Sequence, residues 1–85
     1  MDMETNATTL TEIVAGNLRA EMARRALNIE DLATALAVTR QTASTRFNGT
    51  KPLTVPELQI VANWLKVSWN TLLTSPAVQN LSEVA

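Results

Sequence analysis

The chain is 85 residues long, carries a net charge of −1 and contains neither cysteine nor histidine. That length bounds one small domain, and the missing residue types leave it without disulfides, a ready zinc-ligand set or the usual general base. The eight acids are scattered, with only Glu30 and Asp31 adjacent, so no converged carboxylate pair forms and no catalysis, cofactor, metal or small-molecule ligand is expected.

Apolar residues make up 46% of the chain, yet no apolar run approaches the roughly 20 residues of a membrane span. The opening MDMETNATT is polar and acidic, unlike a signal peptide, so a cytoplasmic location is expected. Two glycines and one phenylalanine against abundant Ala, Leu and Thr favour an all-α domain.

Residues 1–8 read as a flexible N-terminal arm. A first helix is predicted from Thr9, where Thr9-x-x-Glu12 has the form of a capping box, to about Ala26. Leu10, Ile13, Val14, Leu18 and Met22 give it an apolar stripe, and Arg24 and Arg25 suit the negative end of its dipole. Asn28 caps a second helix of about 29–36 whose inner face is Leu32, Ala33 and Leu36. After about three residues of turn, Thr39 caps a third helix over 40–48, stopped by Asn48-Gly49. Two short helices joined this closely, with alanines at positions 33 and 37, make a helix-turn-helix unit.

Thr54-x-x-Glu57 is another capping box, and Leu58, Val61, Ala62 and Leu65 follow at clean helical spacing with Pro56 tolerated in the first turn. A short last helix is expected from Trp69 to Leu73, making a compact bundle of about five short helices over residues 9–75. Residues 76–85 are an unassigned tail. Ile60 and Trp64 lie off the main stripe of the fourth helix. With Trp69 they are candidates for a dimer interface, Trp64 alternatively widening the core.

The run NIEDLATALAVTRQTASTRFNGTKPLTVPELQIVANWLKVSWNTLL resembles the lambda-repressor-like, Cro-type helix-turn-helix family of phage and bacterial regulators. Leu32-Ala33, Val38-Thr39-Arg40, Phe47-Asn48-Gly49 and the Pro-Glu-Leu…Val-Ser…Leu-Leu cadence carry the likeness, which spans roughly residues 14–73. Alanine stands at positions 26 and 37, where the family often has glycine, and a left-handed backbone there costs alanine on the order of 1 kcal/mol. Arg46 stands where an aliphatic residue is common, leaving Ala43 and Phe47 as the inner face of the third helix.

The resemblance implies that the third helix enters the DNA major groove and that Arg40, Gln41 and Thr45 contact bases. Thr39, Thr42 and Ser44 are then short donors suited to phosphate oxygens, with Arg46 either another phosphate contact or half of a salt bridge. Asn48, Thr50 and Lys51 follow on the next loop, and Asn28 adds a helix N-terminus. The charge is sorted accordingly, since residues 36–55 hold Arg40, Arg46 and Lys51 and no acid. The expected function is sequence-specific binding of double-stranded DNA by a small Cro-type repressor, dimeric at least on DNA and acting by operator occupancy. The competing expectation is a helix-turn-helix-shaped module that binds a protein, as an antirepressor or antitoxin would.

Overall fold

A computed structural model describes residues 2–74, with side chains from Leu10 onward; Met1 and the 75–85 tail lie outside the described residues. The described chain is all-helical, in the order α1 (Asp2–Arg24), α2 (Ile29–Leu36), α3 (Arg40–Asn48), α4 (Val55–Leu65) and α5 (Trp69–Leu73). None of these helices is long and apolar enough to cross a membrane.

The first helix departs from expectation. It runs from Asp2 with no start at Thr9, so residues 2–8 of the expected arm lie in continuous helix. Nothing in the sequence before Gly16 breaks a helix, since residues 1–15 hold neither proline nor glycine. Thr9 and Glu12 therefore sit inside α1 rather than at its start.

The later helix starts follow the local chemistry of their caps. Asn28 accepts from the Asp31 N–H while Asp31 accepts from the Asn28 N–H, each at 2.9 Å. Thr54 and Glu57 repeat that reciprocal pair for α4, and Thr39 and Ser68 cap α3 and α5 through their hydroxyls. Each cap satisfies a first-turn N–H that has no partner within its helix.

The helix ends show a repeated device. Ala26, Ala37 and Lys66 all adopt the left-handed conformation, with φ of 55°, 58° and 59°. In each case the next N–H reaches back five residues, from Leu27 to the Met22 carbonyl, from Val38 to Ala33 and from Val67 to Ala62, at 2.9–3.0 Å. The three aliphatic residues that follow the left-handed turns pack on the core cluster, and their carbonyl partners Met22, Ala33 and Ala62 are buried. This is the hydrogen-bonded stop usually built on glycine, held here by an apolar contact on its far side.

The core draws on every helix. Leu18 and Met22 of α1, Leu32 of α2, Val61 and Leu65 of α4 and Leu72 of α5 are almost fully buried, and Ala43 gives α3 its close approach. Gly49 ends α3 at φ 80°, where an added Cβ would stand 3.1 Å from the Ala15 Cβ of α1. Asn17 ties the end of α5 to α1 by donating to the Leu72 and Thr74 carbonyls at 2.8 and 3.0 Å.

Glycine at position 26, 37 or 66 is expected to stabilise the protein by roughly 0.5–1 kcal/mol each, since the left-handed penalty of a side chain outweighs glycine's entropic cost. Gly49→Ala is expected to destabilise by about 1–2 kcal/mol, since it adds both the conformational penalty and the Ala15 crowding. Thermal unfolding of the four variants checks both signs; a loss of stability in all three glycine variants contradicts the account of the stops.

Candidate nucleic-acid interface

The placement of α3 begins with its inner face. Ala43 is fully buried and Phe47 packs against the core. At about 100° per residue, Thr45 lies opposite that pair and Gln41 lies next to it. Gln41, Thr42, Thr45, Arg46 and Lys51 line a shallow concavity on the outer side. Arg40, Gln41, Asn48, Thr50 and Lys51 are exposed, while Thr42, Ser44 and Thr45 are half-buried. The helix carries no acid in its first turn, so its positive dipole end is unopposed there.

Several of these side chains already have partners. Thr39 accepts from the Thr42 N–H at 3.1 Å and donates to the Thr42 hydroxyl at 3.0 Å, so its hydroxyl serves the cap. Asn48 donates to the Ser44 hydroxyl at 3.2 Å. Thr45 donates to the Thr42 carbonyl at 2.6 Å and accepts from Arg46 Nη1 at 3.1 Å. Arg40 stands 4.0 Å from Glu30, with both side chains about three-quarters exposed, a pairing too open to hold the arginine.

Arg46 is held in a salt bridge. Its Nε donates to Glu57 Oε1 at 2.9 Å and its Nη2 to Oε2 at 3.3 Å, a two-pronged pair with only 14% and 15% side-chain exposure. The guanidinium is turned inward and joins α3 to the start of α4, the salt-bridge alternative of the two expected for it. A fork matched to both carboxylate oxygens is the geometry arginine favours over a single exposed contact. Glu57 also accepts from the Thr54 N–H, so one carboxylate caps α4 and anchors α3. The Arg46 guanidinium, opposed by burial and aided by Thr54, holds the Glu57 carboxyl below its ordinary value.

Asn28 is a weaker phosphate candidate than its position suggests. Its side chain caps α2, and Glu30 and Asp31 share that helix start, so an approaching anion meets two carboxylates.

The rest of the basic set is also placed. Arg19 donates to the Phe47 carbonyl at 2.7 Å with its guanidinium 5.9 Å from the Phe47 ring centre, closing the last turn of α3 from α1. Arg24 and Arg25 both pair with the buried Glu21, Arg25 also donating to its carbonyl. Arg25 is the chief cause of the lowered Glu21 pKa, against the opposing effect of burial. Among the dimer candidates, Ile60 and Trp69 are each 40% exposed, whereas Trp64 is half-buried against the core and largely serves the fold.

Both lowered carboxyls stabilise the fold in their charged form. That stabilisation is complete above the ordinary carboxylate range and is lost as pH falls through the lowered native values. Unfolding free energy is therefore expected to be level near neutrality and to decline from about pH 5 downward. Glu57→Gln should be less stable at pH 7 and show a shallower acid slope. Urea titrations across that range measure both, and an unchanged slope contradicts the assigned role of Glu57. Comparison with protein-family models, curated proteins and solved structures finds no match for this chain.

Proposed function

We propose that this chain is a sequence-specific, double-stranded-DNA-binding transcriptional regulator of Cro type. In this reading α2 and α3 act as a helix-turn-helix, and the protein represses by occupying an operator in a bacterial or phage-infected cytoplasm. The observation that carries the reading is the outer face of α3. It presents Gln41 and Thr45 opposite the Ala43–Phe47 anchor, with Arg40 exposed at the helix start and Thr50 and Lys51 exposed on the following loop, and there is no acid between residues 32 and 56. Arginine can take guanine through O6 and N7, and glutamine adenine through N6 and N7, from a helix lying in the major groove.

Phosphate contacts in this reading fall to Thr42, Ser44, Asn48, Thr50 and Lys51, with the α3 N-terminus adding its dipole. Arg46 and Glu57 act one step behind, holding the reading helix at a fixed angle to α4. The role is one of binding, with no chemistry performed on the DNA.

Enrichment of preferred sequences from a random DNA pool tests the proposal. The wild type is expected to select a short motif, with affinity falling steeply as salt rises. Arg40→Ala with Gln41→Ala should relax the motif, whereas Lys51→Ala should weaken all sequences alike. A motif unaltered by the double change would refute base reading by α3. Binding that is insensitive to salt favours the protein-binding alternative.

We also propose that two copies associate through the exposed Ile60 and Trp69 of α4 and α5, because paired copies read two half-sites with added affinity. Sedimentation equilibrium should show a dimer, on DNA or free, that Ile60→Asp or Trp69→Asp disperses. A chain that stays monomeric at high concentration and binds its operator as one copy rules out this arrangement.

A further inference from the structure

Thr45 lies on the side of α3 away from Ala43 and Phe47, half-buried, with its hydroxyl bonded back into the protein. A threonine hydroxyl has one proton to donate and two lone pairs. The proton goes to the Thr42 carbonyl at 2.6 Å, and one lone pair accepts from Arg46 Nη1 at 3.1 Å. Arg46 is not free to turn away, because its Nε and Nη2 are both held by the nearly buried Glu57 carboxylate. Glu57 is itself held by the Thr54 N–H at 3.0 Å.

This chain of bonds engages the hydroxyl's proton and one of its two lone pairs. The Cβ carries only two heavy branches, the hydroxyl and the methyl. With the hydroxyl engaged along the helix, the methyl is the branch left for a partner in the concavity shared with Gln41, Thr42 and Lys51. The polar neighbours Gln41 and Lys51 are exposed beside it, so an apolar group lies among hydrogen-bonding ones.

We propose that Thr45 is a specificity-determining residue that reads the C5-methyl group of a thymine by apolar contact. This rests on the DNA-binding reading above and adds the chemical class of the group recognised. In the major groove only thymine, among the four bases, presents a methyl group. A hydroxyl contact, with only a lone pair left to accept, would instead favour the amino group of adenine or cytosine and be indifferent to the methyl.

Uracil provides the test, since it differs from thymine only by that methyl. Each thymine in the operator selected by the full wild-type chain is replaced singly by uracil, and the affinities are measured. One position per half-site is expected to weaken binding about fourfold, the size of one buried methyl. Thr45→Ser, which keeps the hydroxyl and loses the methyl, should bind the thymine and uracil forms of that site equally. Thr45→Val, which keeps the methyl and loses the hydroxyl, should retain the discrimination.

A selected operator with no methyl-sensitive position overturns this inference alone. So does discrimination that survives in Thr45→Ser and disappears in Thr45→Val. A wild-type chain that selects no sequence overturns the DNA-binding reading, and this inference with it.

Discussion

Three of the helices among the described residues end on a left-handed residue that is not glycine, and the direction of everything downstream depends on those turns. Each stop leaves a side chain in an unfavourable backbone region, offset by two hydrogen bonds and by an aliphatic residue that packs immediately after it. The stop at Ala37 matters most, because it bends the chain between α2 and α3. Val38, anchored on the core just beyond it, fixes where Thr39 starts α3. A looser turn there would move the Arg40–Gln41 end of the helix relative to α2.

The far end of α3 is held separately. Arg19 closes its last turn from α1, Gly49 permits close contact with Ala15, and Arg46 joins it to α4 through Glu57. These restraints come from two different helices, α1 and α4. A helix that reads a groove needs this kind of support, since a small error in its placement removes hydrogen bonds that depend on direction. The outer face can therefore be polar and poorly packed while its position stays fixed.

Much of the fold is legible in the sequence. Asn28, Thr39 and Thr54 announce helix starts because capping is local chemistry, decided within four residues. The Leu58–Leu65 stripe identifies the buried side of α4 for the same reason. The same local pattern at Thr9-x-x-Glu12 misleads, since a capping box works only where the preceding chain is not helical, and residues 2–8 are. The long-range partnerships are not legible. Arg46 and Glu57 are eleven residues apart on different helices, and Glu57 is already explained by its cap. Arg19 reads as a solvated helix residue until the α1–α3 crossing brings the Phe47 carbonyl within reach. Asn17 gives no local hint that it holds the end of α5.

The division of labour along α3 has a consequence for how such a domain changes. Its nine residues separate into an anchoring set, Ala43, Arg46 and Phe47, and an outer set around Arg40, Gln41 and Thr45. Substitutions in the outer set meet solvent and leave the core untouched, so they change what the surface presents at little cost to folding. Substitutions in the anchoring set unseat the helix before they alter its chemistry. In the proposed reading, three or four positions can therefore alter the sequence preference while the scaffold stays the same. A change at Arg46 or Glu57 alone, by contrast, leaves a charged partner unpaired at a nearly buried position.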